Sequence, residues 1–144
     1  MSRELATLEE KLKSQGHSMT TVRKTVFMSL LDKEPQTMAE IANSLKDTVD
    51  RASVYRSIAL FEELGIVERL QLGWKYKIEL SDSFAAHHHH ITCTSCGRVQ
   101  AFEESSVIEF ELKQLANEAG FLETGHQVEI RGICTQCQDS SAHT

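Results

Sequence analysis

Residues 87–96, His-His-His-His-Ile-Thr-Cys-Thr-Ser-Cys, run four imidazoles straight into a Cys-x-x-Cys. A second Cys-x-x-Cys stands at Cys134 and Cys137. Thiolates three positions apart can both reach one ion, and two such pairs supply the four sulfurs of a tetrahedral zinc site. Residues 97–133 are too long a spacer for a compact finger, so a folded segment must lie between the knuckles. The histidines carry a second message. Successive side chains of a strand point to opposite faces, so His88 and His90 would share one face, and His87 and His89 the other. One short segment could then serve two metal centres. A purification tag reads similarly, but tags sit at termini and this run is internal.

The 144 residues suit one domain or two small ones. No apolar run approaches the roughly 18–20 residues of a membrane span. Four cysteines in two pairs, with no secretory pattern after Met1-Ser2-Arg3-Glu4, point to a reducing cytoplasm and to metal in place of disulfides. The net charge of −6 is unevenly spread. Residues 1–83 carry 12 Lys and Arg against 13 Asp and Glu; residues 84–144 carry 3 against 8, with six of the seven histidines. Overall acidity therefore leaves room for DNA binding by the first half, because the relevant field is local. It argues against tight, sequence-blind binding.

Leu5, Leu8 and Leu12 predict an amphipathic helix over 4–15, stopped by Gly16. Thr20 or Thr21 can cap a second, with Val22, Val26, Phe27, Leu30 and Leu31 as its apolar side and Pro35 marking the break. Met38, Ile41, Ala42 and Leu45 give a short helix, and Asp50 can cap another over 51–64 that Gly65 ends. Two helices joined by a few residues read as a helix-turn-helix. On the second, Val54, Ile58 and Phe61 face inward while Ala52, Tyr55, Arg56 and Ala59 turn away. That low face suits a DNA groove, although in isolation it reads more readily as a solvated surface. Residues 66–80 alternate as two strands around Gly73-Trp74, a wing, and 81–86 form a hinge. The second half predicts strands over 87–93, 98–102 and 127–133. Between the last two lies a helix with Ile108, Leu112, Leu115 and Ala119 on one side; residues 138–144 read as disordered.

This order of winged helix, hinge, histidine-rich strand, knuckle, helix, strand and knuckle resembles the ferric uptake regulator family of metal-sensing repressors. Ser53-Val54-Tyr55-Arg56, Phe61-Glu-Glu-Leu-Gly-Ile-Val67 and residues 87–97 carry the resemblance, which spans 8–137. It implies an α+β chain: a winged helix-turn-helix DNA-binding domain with hinge over residues 1–83, and an α/β dimerisation domain with a four-cysteine zinc site over 84–144. It further implies a homodimer on double-stranded DNA, at AT-rich inverted repeats, with no membrane and no small-molecule substrate.

Carried over residue by residue, the resemblance makes Cys93, Cys96, Cys134 and Cys137 the structural zinc site. It puts a sensing centre at His88, His90 and Glu79. Iron and peroxide sensors take a further histidine where this chain has Pro35-Gln36, so Glu68, as in the zinc-sensing branch, is favoured as the fourth ligand. Asp82 and His17 are substitutes, and the cysteine that the zinc branch commonly has near Glu79 is absent. An additional site would take His87, His89, Glu109 and His126. Arg23, Arg51, Ser53, Tyr55 and Arg56 are the candidate DNA contacts. Alternatives stand beside these: Ser106-x-x-Glu109 as a capping box, His126 as a core histidine, Glu68 and Glu79 as surface charges. The regulatory metal is zinc or iron, with manganese possible, since mixed imidazole and carboxylate ligands do not choose. The expected function is a metal-dependent repressor controlling metal-ion homeostasis, not an enzyme, with a peroxide-sensing repressor as the alternative. A zinc hydrolase or deaminase is disfavoured because no His-x-Glu or Pro-Cys-x-x-Cys occurs. A metal chaperone would leave the winged helix unexplained.

Overall fold

The computed structural model describes residues 2–72, 74–84 and 88–141. The chain divides into two compact units, Met1–Ala85 and Ala86–Thr144. Gly73, Ala85, Ala86 and His87, and with them part of the expected hinge and one expected ligand, lie outside the described residues.

The first unit contains α1 (Arg3–Ser14), α2 (Thr21–Leu30), α3 (Met38–Ser44), α4 (Arg51–Glu63), β1 (Val67–Leu72) and β2 (Lys75–Leu80). Each helix starts where a side-chain oxygen accepts a backbone N–H three positions on: Ser2, Thr20, Thr37 and Asp50. Such caps satisfy donors that the first turn leaves orphaned. At the end of α4, Gly65 adopts φ +71, and the Ile66 N–H returns to the Phe61 carbonyl at 2.7 Å. A residue with a Cβ would be strained there, so Gly65 is what turns the chain from helix into wing. Leu8, Leu12, Val26, Phe27, Ile41, Val54, Phe61 and Ile66 are fully buried in one core, with Met19, Val22, Leu31 and Phe84 packed at its edge. The wing strands pair antiparallel, from Val67 opposite Leu80 to Leu72 opposite Lys75. Gln36 adds a bridge to Ile78 through two backbone hydrogen bonds of 3.0 and 2.6 Å, so the segment after α2 braces the wing.

The second unit contains β3 (His88–Cys93), β4 (Val99–Glu103), α5 (Ser106–Glu118), β5 (Glu129–Gly132) and α6 (Thr135–Ser141). Its sheet runs β4-β3-β5, with β3 antiparallel to β4 and parallel to β5. The histidine-rich strand is thus central, and His89 and His90 are buried. One expectation needs correction. Residues 138–141 are helical, completing α6, whose Gln138 N–H bonds the Cys134 carbonyl at 2.9 Å and so continues the second knuckle, while 142–144 lie outside the described residues. The helix α5 forms as predicted, and none of its residues is buried: Val107, Phe110 and Leu115 are 68%, 59% and 60% exposed. Its apolar line is real; the small sheet of a single chain does not cover it. No helix among the described residues is long and apolar enough to cross a membrane.

Candidate functional site

The sheet and α6 bring Cys93, Cys96, Cys134 and Cys137 together, their sulfurs within 4.8 Å of one another. Parallel pairing of β3 with β5 does this, because Cys93 is in register with Gly132 and each strand ends in its knuckle. Zn–S bonds of about 2.3 Å set a tetrahedral edge of about 3.8 Å, and Cys96 Sγ lies 3.9 Å from Cys134 Sγ. A disulfide would need about 2.05 Å. Backbone N–H groups of Cys134 and Cys96 donate to Cys93 Sγ and pull that thiol down to about 6. Cys137 goes the other way. A hydrogen bond with Ser95 lowers it, but Cys134, burial, Cys96 and Cys93 outweigh this and push it up to about 12. Four thiols this close cannot all shed protons without a cation between them, so the donor set fits zinc.

Strand alternation is realised in β3. The His88 and His90 rings lie 4.8 Å apart, centroid to centroid, while His89 points to the other side, 5.5 Å from the Phe102 ring and 5.3 Å from His126. On that second side His89, Glu109 and His126 offer ligand atoms within 4.8 Å of each other. Glu109 Oε1 is 2.5 Å from His89 Nε2, and its other oxygen meets His126 Nε2. The edge of a tetrahedral N/O site at about 2.0 Å per bond is about 3.3 Å. An ion therefore requires the His89–Glu109 pair to open by under about 1 Å, and the set fits a divalent metal. The capping-box reading of Glu109 fails, because α5 has no side-chain cap bond and the carboxylate is spent on the histidines. The His126 ring is half-buried, with a carboxylate at each nitrogen. One of them, Glu123, escaped the sequence reading; it meets His126 Nδ1 from a loop where no periodicity marks it. The Glu123 contact foremost, with Glu109, holds His126 protonated above its ordinary range.

In the first unit, Glu68 and Glu79 are register partners across the wing, the first exposed and the second half-buried. Asp82 is exposed beyond β2. His17 instead lines a cleft of about 340 Å³ with Thr20, Arg23, Ser53 and Arg56. This cleft joins the start of α2 to the outer face of α4 and gathers three of the five candidate DNA contacts. A chain of bonds orders that face. Ser53 Oγ donates to Asp50 at 2.6 Å, and Arg56 donates to Ser53 Oγ at 3.1 Å. The Ser53 bonds hold the Asp50 carboxyl below its usual range. Arg51 reaches the Tyr55 hydroxyl at 3.1 Å, with its guanidinium 5.4 Å from the ring centre. Cations and one aromatic ring on an exposed helix face match what phosphate and base-edge contact demands.

Comparison with known proteins agrees with this arrangement. The model of the Ferric uptake regulator family matches residues 14–131. The Ferric uptake regulation protein of Campylobacter upsaliensis is 35% identical over 133 residues, covering 90% of this chain and 76% of that one. The Peroxide-responsive repressor PerR of Staphylococcus saprophyticus is 30% identical over 152 residues, covering 96% and 99%. The solved structure of the ferric uptake regulator from Francisella tularensis with iron superposes with a TM-score of 0.72 at 29% identity, covering 85% of this chain and 96% of that chain. A match running from the end of α1 through β5, over the winged helix and the ligand-bearing sheet alike, leaves one conclusion: the chain belongs to the ferric uptake regulator family.

Proposed function

We propose that the protein is a metal-dependent, DNA-binding transcriptional repressor that acts as a homodimer and controls metal-ion homeostasis. The observation that carries this reading is β3, which turns His88 and His90 to one face and His89 to the other beside Glu109 and His126. A strand in this family that serves two ligand sets is a sensor's strand.

The sensing centre takes His88 and His90 with Glu79 and Glu68. Support comes from the pairing of the two carboxylates across the wing and from the short tether, seven residues between Leu80 and His88. When bound, zinc or iron, or manganese in their place, supplies the positive charge that lets carboxylates and imidazoles converge. The residues do the rest: Glu79 and Glu68 carry the wing, His88 and His90 carry the sheet, and joining them fixes the winged helix against the dimer. Two recognition helices held at one spacing can engage half-sites about one helical turn apart. Coupling is reciprocal, so operator DNA tightens metal binding by the same factor. The second centre takes His89, Glu109, His126 and His87. Dimerisation is supported by the uncovered apolar residues of α5 together with Phe121 and Leu122. DNA contact falls to Arg23, Arg51, Ser53, Tyr55 and Arg56.

The test is a mobility shift on AT-rich inverted repeats, using chelated protein and added zinc, iron or manganese. Binding should appear only with metal. His88→Ala and His90→Ala should abolish it while each chain keeps its cysteine-bound zinc. Metal-restored binding by either variant refutes the ligand assignment. Oxidation of a ligand histidine when the iron form meets peroxide would move the reading to the peroxide-sensing alternative, which the relative from Staphylococcus saprophyticus favours.

A further inference from the structure

The loop over 121–128 brings a carboxylate to His126 that the ligand set of the second centre does not use. Glu123 lies against Nδ1 of the His126 ring, and Glu109 lies against Nε2. Both flanking groups are part-buried, Glu123 at 19% and Glu109 at 21% exposure. A neutral imidazole binds an ion through one nitrogen and carries its proton on the other. An ionised carboxylate only accepts hydrogen bonds, so once an ion is shared with Glu109 and His89, the nitrogen facing Glu123 is the one that keeps its proton. Nε2 is then left to ligate, and Nε2 is the atom that faces Glu109, whose other oxygen reaches His89. Rotating the ring to its other flat position would replace both contacts with carbon atoms.

We infer that Glu123 is the positioning residue of the His89–Glu109–His126 centre: it fixes the ring orientation and tautomer of His126 without touching the ion. Histidine ligands elsewhere are held this way by an outer carboxylate, and losing that partner typically costs about 10–100-fold in metal affinity. The spacing Glu123-Thr-Gly-His126 keeps the two residues in one loop, so they travel together wherever the loop moves. The inference rests on the second centre being a metal site, and its test separates the two.

Cobalt(II) affinity is measured on the full-length, zinc-containing protein, carrying His88→Ala and His90→Ala so that only this centre competes. His126→Ala should abolish the binding. Undiminished cobalt binding by His126→Ala would mean that the grouping is no metal site, and the inference falls with it. With that loss established, Glu123→Ala should bind the same number of ions about 10–100-fold more weakly. Glu123→Gln, whose amide oxygen still accepts from Nδ1–H, should recover most of the loss. Nitrogen-15 spectra of the zinc-loaded forms should show His126 protonated at Nδ1 in the parent and in Glu123→Gln, and a mixture of tautomers in Glu123→Ala. Unchanged affinity in Glu123→Ala makes Glu123 idle, and complete loss of the ion, as in His126→Ala, makes it a ligand; either overturns the inference.

Discussion

The two units of this chain are held together by different physics. The first closes a cluster of seventeen buried apolar residues, among those described, around α1–α4 and the wing. Water exclusion is its main support, at roughly 25 cal/mol per Å² of apolar surface removed. The second has almost no such core. Among its described residues the buried ones are Cys93, Val99, His89, His90 and Thr92, and no residue of α5 is among them. Histidine, threonine and cysteine side chains occupy the positions where a self-sufficient domain would place leucines. A unit built this way is stable only when something external fills it. Coupling a self-sufficient reader to a conditional platform is how a fold makes DNA binding answer to metal.

The most severe way to break this comparison is to take the ion away. Structural zinc supplies about 10–16 kcal/mol in small metal-folded units, as much as the whole 5–15 kcal/mol stability of an ordinary domain. Strong chelation, or Cys134→Ser, should therefore unfold the β4-β3-β5 sheet while leaving α1–α4 folded. Hydrogen exchange would show it, with amide protection lost in residues 88–133 and retained in 5–63. Loss of protection in both units together would mean that the first is not self-sufficient.

Covering of α5 comes next. In a two-fold dimer each substitution counts twice. Burial of a leucine is worth about 1.5–3 kcal/mol, so Leu115→Glu should weaken dimerisation by roughly 100- to 10,000-fold, and sedimentation at micromolar concentration should find monomers. A dimer of undiminished affinity would assign the pairing to another face. The first unit offers the converse experiment. Phe27 is fully buried and meets the Phe84 ring edge-on at 5.0 Å. Phe27→Ala should cost about 3–5 kcal/mol, read as a lowered urea midpoint, with no change in zinc content.

What the sequence disclosed follows the same division. In the first unit, local rules and burial agree. Thr20 and Asp50 mark helix starts, Gly16 and Gly65 mark stops, and the apolar periodicity of Val54, Ile58 and Phe61 is the core itself. Every element there was legible. In the second unit the cysteine pairs and the period-2 alternation of β3 were legible because ligand spacing is short-range. Periodicity in α5 was legible too, but not its exposure, since one chain's sequence does not say which molecule covers a face. Glu123 was missed because its partnership with His126 depends on loop geometry. α6 was missed because six polar residues and one cysteine carry no apolar stripe, and what orders them is attachment to the Cys134–Cys137 knuckle.

The finest test concerns how the helices begin. Thr37 Oγ1 accepts the Glu40 N–H at 3.1 Å, whereas Ser105, at the corresponding place before α5, makes no side-chain cap bond. Both are residue types that cap well; only one is used. Thr37→Ala should cost about 1 kcal/mol, lowering the thermal midpoint of the first unit by a few degrees. Ser105→Ala should leave the second unit's midpoint where it was, because no bond is removed. The pair also reports on assembly. If Ser105→Ala proves as costly as Thr37→Ala in the zinc-loaded dimer yet neutral in the Leu115→Glu monomer, the start of α5 is completed only when the partner chain docks. The second unit would then depend on its surroundings for helix initiation as well as for its core.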